Sequence, residues 1–422
     1  MIFKKIKAGA LQLTMFIVIV IALLLASFII LVHTHKRFNL QTDFVLETID
    51  NTNKGIDYML QNEIGLNDTI HINLHDGDYK TFKVYREYWG LFEKATSISK
   101  IKTNTFKKTA LIGALQPQTD RTALYVEEHN KPLVLVGNTK IQGLTYLPKQ
   151  GVRTGNISGH SYYGNELIYG STKESGKLPK LLKETLEQIQ TNQNKIDDIG
   201  PNQFLDLDKT RIYRNSFLNP IQVIFNNSEL ILSDVSLKGH ILIQSRTKIV
   251  VEASSTLTDV ILIAPDIDIK NNTKGTFQAM ATKEISIGEH CSLNYPSAFV
   301  LNEDIKTVNT NTSNNQTPFI KVGKGTNLKG VIAYWGDTKN YKAQVFIDED
   351  VTITGEVYCN QNLELLGTVY GGVFTSNFIA NQSGSSYQNH LYNATISIDG
   401  LPQEYVGLIF ENSDKGVMKW LY

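Results

Sequence analysis

The chain has 422 residues with 41 basic against 41 acidic side chains and 41% apolar content, so it carries no net field and holds enough apolar material for roughly two or three packed domains. That balance, without a basic stripe or interleaved basic and aromatic residues, excludes nucleic acid as a partner. Two cysteines, Cys291 and Cys359, exclude a disulfide framework and a CxxC metal pair; one bridge between them in an oxidising exterior and two buried thiols in a core both stay open.

Leu11 to Val32 is a run of twenty-two residues without a charge, sixteen of them Leu, Ile, Val or Phe. A helix of that length spans about 33 Å, close to the ~30 Å hydrocarbon core of a bilayer. Gln12, Thr14 and Ser27 do not offset an insertion free energy of about 5 to 10 kcal/mol. The run predicts a single-pass transmembrane helix over 10–35. Lys4, Lys5 and Lys7 precede it, whereas only Lys36 and Arg37 follow before Asp43 and Glu47. The excess places residues 1–9 in the cytoplasm, the span in the inner (cytoplasmic) membrane and the C-terminal body in the periplasm or outside. A cleavable secretory signal is the rival reading, but its apolar region usually runs ~7–15 residues to a small-x-small site. Here His33-Thr34-His35 follows instead.

Residues 36–120 begin helically. Phe44, Ile49, Ile56, Met59 and Leu60 recur near three and four, which extends the membrane helix, and Gly55 marks a place for a kink or break. The period then changes to two. Thr69 to Leu74 alternates, Asp76-Gly77-Asp78 reads as a hairpin turn, Phe82-Lys83-Val84-Tyr85 resumes the alternation, and Ala95 to Ile112 adds one or two strands. The expectation is a small antiparallel sheet packed on the helix.

A short basic head, a glycine at Gly9, a long apolar helix and a small antiparallel sheet together resemble the type IV pilins and type II secretion pseudopilins. That resemblance implies a leader, Lys4-Lys5-Ile6-Lys7-Ala8-Gly9, removed by a prepilin peptidase, so that Gly9 and Ala10 form a candidate processing site. Most of that family places a Glu five residues after the cut, where this chain has Thr14. The K-type minor pseudopilins often lack it, and Gly9-Ala10-Leu11-Gln12-Leu13 resembles theirs. The resemblance also implies pilus-like or secretion-system subunits as partners.

From Leu133 onward one phrase returns: an apolar residue, any residue, glycine, then apolar residues. It occurs at Ile141-Gln142-Gly143, Leu237-Lys238-Gly239, Leu328-Lys329-Gly330, Ile353-Thr354-Gly355 and Leu365-Leu366-Gly367. Short alternating strands bent at glycine predict a β-solenoid, with first turns over 131–175 and the main body over 215–380. Its rhythm resembles that of right-handed β-helix proteins and the polymer-forming bactofilins. A β-sandwich is the alternative. Leu182, Leu186, Ile189 and Ile196 share one face and predict an amphipathic helical insertion over 178–199. Asn309 to Thr317 reads as a surface loop, and residues 381–422, with Tyr387, Tyr392, Tyr405 and Trp420, as a C-terminal cap over the open end. The fold class is therefore mainly β with an N-terminal transmembrane α-helix, a pilin-like α+β neck and a β-solenoid.

No constellation carries chemistry in this pattern. Asp259, Asp266 and Asp268, and separately Asp348, Glu349 and Asp350, are the acids available for pectinase-like cleavage, but Asp266 and Asp268 fall on one outward strand face and Asp348 to Asp350 on a turn. Gly239-His240 is followed by Ile241, so no Gly-His-Gly exists there. His71 and His75, four apart on a strand, would stand about 13 Å from one another, too far for one ion. Gly151-Val152-Arg153-Thr154-Gly155-Asn156 is no phosphate loop and GxSxG is absent. Tyr162-Tyr163, Tyr334-Trp335 and Lys419-Trp420-Leu421-Tyr422 supply aromatic surface for glycan stacking, docking or core packing. The reading is a non-enzymatic, structural or adhesive cell-envelope protein without catalytic, cofactor-binding or metal residues. The alternative is an anchored β-helix that binds or cleaves polysaccharide.

Overall fold

The computed structural model describes residues 8–72, 80–117, 119–191, 199–303, 317–338, 340–411 and 413–422. Lys4, Lys5 and Lys7, the Asp76-Gly77-Asp78 turn with His75, Ile196 and residues 309–316 lie outside the described residues.

One helix of 54 residues, α1 (Ala8–Gln61), opens a chain that is otherwise mainly β. Its two halves meet different surroundings. From Gly9 to Asp43 every side chain is exposed, whereas Thr48, Asn51, Thr52, Ile56 and Met59 are buried. The buried half lies on an antiparallel meander of β1 (Thr69–His71), β2 (Lys80–Trp89), β3 (Phe92–Ile101) and β4 (Asn104–Leu115). There Ile56, Met59 and Ile64 pack with Phe82, Val84, Ala95 and Ile112.

Gly55 is a packing position, where the sequence suggested a kink or break. The helix runs through it, and a Cβ there would lie 2.1 Å from Ser97 Oγ and 2.5 Å from the Phe82 ring. Glycine costs about 1 kcal/mol against Ala in a helix; here its bare backbone lets the sheet approach. Gly55→Leu is expected to destabilise the docked helix by about 1–3 kcal/mol. The check is thermal unfolding of the detergent-solubilised chain, and an unchanged Tm would refute the docking.

Beyond the neck, short strands pair in parallel and in register with later ones, forming three ladders. One aligns Leu237, Leu257, Gly275, Leu293, Leu328, Ile353 and Val369. A second aligns Ile224, Ile243, Leu262, Ala279, Phe299, Ile332, Val357 and Val373. The third aligns Leu230, Ile249, Ile267, Ile285, Ile320, Val345, Leu363 and Phe378. Nearly all of these side chains belong to one buried cluster.

The ladders differ on their outer sides. The second is covered by the neck: Leu242, Ile261, Met280, Val300 and Tyr358 pack with Trp89, Leu91 and Phe92. Its strands are buried on both faces and therefore read as unbroken apolar runs such as Val260-Ile261-Leu262-Ile263. The third faces outward, and Asp266-Ile267-Asp268-Ile269 alternates accordingly.

Where the first ladder bends into the second, Gly330, Gly355 and Gly371 align directly above one another with φ of 142°, 148° and 146°. A Cβ on Gly355 would fall 1.9 Å from the Gly330 carbonyl oxygen, so each glycine is fixed by sterics from its neighbour.

Three assignments change. Residues 131–175, read as first turns, stack last: Val373 pairs with Leu124, Leu124 with Thr145, and Thr145 with Thr172. Residues Thr395–Ser397 likewise pair with Lys140–Gln142. Segments far apart in sequence thus share the last part of the ladder, since pairing in register needs matching alternation and not chain order. The tail 381–422 does not form a separate cap. Thr395–Ser397 continues the first ladder, His390–Tyr392 pairs in parallel with Val134–Val136 in a separate three-stranded sheet, and the terminal strand Lys415–Leu421 returns to pair antiparallel with β4. The helix expected over 178–199 is described as α2 (Lys183–Thr191), because Pro179 disfavours helix before it and Leu181 and Leu182 instead bond the segment at Ile409 and Phe410.

Ionic contacts join these parts. Arg86 pairs with Glu93 at 3.1 Å and with Glu184 of α2, and Lys415 Nζ lies 2.9 Å from both Glu93 oxygens. Arg86 and Glu93 are almost fully buried, so their charges are matched within the protein.

Candidate functional site

The first functional element is the bare half of α1. Among described helices it is the one long and apolar enough to cross a membrane, and it fits a single-pass anchor. Gly9 and Ala10 are exposed residues of its first turn. Thr14 donates its hydroxyl to the Leu11 carbonyl at 2.9 Å, which satisfies the group inside the helix, as an apolar medium requires. Above the apolar run, Phe38, Leu40, Val45 and Leu46 remain exposed as well.

Residues singled out for chemistry are mostly structural. Asp268 is desolvated, yet hydrogen bonds from Lys270 at 2.8 Å and Lys248 at 3.2 Å outweigh that and hold its carboxyl below the usual range. Burial pushes Asp266 and its neighbour Glu284 upward. Asp350 occupies a left-handed corner at φ 58°, and Lys324 pairs with it and with Glu349. Asp259 holds Lys419 at 2.5 Å. His71 lies in β1, and His75 is outside the described residues. Among the described residues no group of three His, Cys, Asp or Glu side chains is arranged for a metal.

Cys291 and Cys359 are unbonded, buried thiols in different parts of the ladder. The Cys291 backbone N–H donates to Thr326 Oγ1 just before its strand begins, whereas Cys359 aligns with Tyr334 and Thr375 beyond the glycine bend. Burial pushes the Cys359 thiol up to about 12. The aromatic pairs are also dispersed: Tyr334 is fully buried, Trp335 stacks on Tyr358 at 5.0 Å, and Trp420 lies under Lys108 Nζ at 3.6 Å. Tyr163 and Tyr422 are exposed singly.

Among the cavities lined by described residues are two larger than the one of about 220 Å³ beside Asp266, Asp268 and Glu284. The seam between neck and second ladder holds about 560 Å³, walled by Trp89, Phe217, His240 and the Ile261 and Ile263 side chains. His240 stacks on Phe217 at 5.1 Å and meets Trp89 at 4.8 Å. Behind them, buried Lys94 is 2.8 Å from Glu87 and 3.2 Å from His240 Nε2, so its charge is already engaged. This is where Gly239-His240 leads: the histidine belongs to the seam.

The second cavity is a polar cleft of about 480 Å³ at the bend from the second ladder into the third. Three successive levels contribute to it: Glu127 to Lys131, Asn360 to Asn362, and Ser376 with Asn377. Ser376 donates to Glu127 Oε2 at 2.7 Å, and His129 Nε2 lies 2.8 Å from Ser376 Oγ and 3.4 Å from Glu127. The His129 hydrogen bond is the main reason the Glu127 carboxyl sits below its ordinary range. A serine hydrolase relay needs the acid on the far ring nitrogen. Here serine and acid share one nitrogen, so the cluster is a brace. Sequence reasoning missed it, since Glu127 and Ser376 are 249 positions apart and no local pattern joins them.

No protein-family model matches the chain, and no curated protein sequence does. Among solved structures, the crystal structure of the competence-associated pilin ComZ from Thermus thermophilus aligns over 92% of this chain and 95% of that one, at 9% identity and a TM-score of 0.20. At that overlap the likeness carries no argument.

Proposed function

We propose that the protein is a single-pass cell-envelope subunit of the minor pilin or pseudopilin kind. The N-terminus lies in the cytoplasm, α1 crosses the membrane, and the three ladders wind as a β-solenoid displayed on the far side. Its role is structural or adhesive and not enzymatic, with pilus-like or secretion-system subunits as neighbours. The observation that carries the reading is the division of α1: one uninterrupted helix, bare over its first part and serving as the spine of an antiparallel sheet over its last. Exposed Phe38, Leu40, Val45 and Leu46 above the apolar run suit packing against other helices.

Mass spectrometry of the mature protein in its native membrane tests the reading. A chain beginning at Ala10 is the expected result. Intact Met1 would leave a plain anchor and remove the pilin reading. A second reading, an anchored body that binds or trims polysaccharide, is favoured by one feature only, the polar cleft.

A further inference from the structure

We propose that the polar cleft at the bend beside Ser376 is a binding site for an uncharged saccharide. The inference does not rest on the pilin reading, and either can fail without the other.

The lining itself excludes most ligand classes. None of its residues is aliphatic, so an apolar ligand would find no wall to bury against. Of its charged groups, Glu127 is engaged by His129 and Ser376, which leaves Lys131 as the one cation without a partner among the described residues. A single lysine is a weak basis for selecting a phosphate or a polyanion. The volume falls within the ~300–1,000 Å³ of small-molecule sites.

What remains matches hydroxyl groups. A sugar hydroxyl both donates and accepts, and so does a planar amide through its two ends. Two amides here are held at one end and unpaired at the other among the described residues. Gln361 Nε2 donates to the Gly336 carbonyl at 2.9 Å, and Asn362 Nδ2 donates to the Asn340 and Lys342 carbonyls at 2.8 and 3.0 Å. Their carbonyl oxygens have no hydrogen-bond partner among the described residues, and neither does the side chain of Gln388. Backbone bonds thus fix the orientation of amides on residues that line the cleft, which lowers the ordering cost of binding. Tyr341 stands at the cleft 73% exposed, its hydroxyl without a partner among the described residues, and offers a flat face for a sugar ring.

The test uses the full chain in a detergent without a sugar headgroup. It is screened on an array of neutral and uronic-acid oligosaccharides, and each hit is titrated by calorimetry. Binding of at least one neutral oligosaccharide is expected, weakened about tenfold by Tyr341→Ala, the loss of roughly one aromatic contact. Gln388→Ala is expected to weaken it several-fold, and Tyr163→Ala, an exposed tyrosine elsewhere, to leave it unchanged. Tyr341 and Gln388 lie at the surface, so circular dichroism should show both variants folded. No neutral binding, binding of uronic acids alone, or affinity indifferent to both cleft variants would overturn the proposal.

Discussion

Gly355→Ala is expected to destabilise the body by about 2–6 kcal/mol, the sum of about 1–3 for a left-handed backbone and about 1–3 for overpacking. The added methyl would sit 1.9 Å from the Gly330 oxygen and 2.8 Å from its carbon, and both are backbone atoms locked in the ladder. Neither can turn away as a side chain would. The column is also unforgiving in both directions, because Gly371 places its own missing Cβ 1.8 Å from the Gly355 oxygen. Moving Gly355 to relieve one contact presses on the next. Gly384 supplies the control. Its φ of 78° is also left-handed, though milder than that of Gly355, and open space surrounds it, so Gly384→Ala is expected to cost only about 1–2 kcal/mol. Denaturant unfolding of the two variants measures the difference. Equal losses would mean that steric stacking contributes nothing at this bend.

Glu356→Gln is expected to make the protein more stable at pH 7.5 and to flatten its pH dependence. Glu356 is 1% exposed and accepts from the Leu408 N–H and from Gln116 Nε2, both at 2.6 Å. Burial pushes its carboxyl from 4.5 up to about 7, with the Leu408 bond pulling partly back. The folded protein therefore holds a proton there that the unfolded chain releases at lower pH. Between about 4.5 and 7 the folded state binds more protons, so stability falls as pH rises across that window and levels off above it. At about 1.4 kcal/mol per unit the whole effect is on the order of 3 kcal/mol. Glutamine imitates the protonated acid: its oxygen accepts from Leu408, and the Gln116 amide can turn to accept from its nitrogen. Unfolding free energies at pH 4.5 and 7.5 should converge at the lower value and separate at the higher. A variant less stable than the parent at pH 7.5 would show that Glu356 is ionised and holds the segment as an anion.

Much of this architecture is written locally. Leu11 to Val32 announces its helix by composition alone, and the recurring glycine phrase marks the bends because Gly330 and Gly355 meet steric demands set only one level away. Alternation in Asp266 to Ile269 tells that one side is wet. The partners of each surface are another matter. The run Val260 to Ile263 signals burial on both sides, but nothing in it names Trp89 and Phe92 as the cover. Leu124 aligning with Val373, or Trp420 with Ala110, depends on contacts between residues hundreds of positions apart. The cleft was illegible for the same reason, since it exists only where three levels meet. Gly55 was legible as a helix weakener, while its use as a contact needed the facing Phe82.

The return of Lys415–Leu421 to β4 sets a timetable for biosynthesis. A nascent chain emerging from its N-terminus completes the first four strands of the neck long before the strand that borders β4 has been made, and residues 122–142 likewise wait for Val373 and Thr395. Until Lys415–Leu421 has been made, the edge of β4 that it covers lacks this partner strand. An unpaired edge of this kind invites pairing with another chain, so the returning strand also shields the neck from aggregation once it is in place.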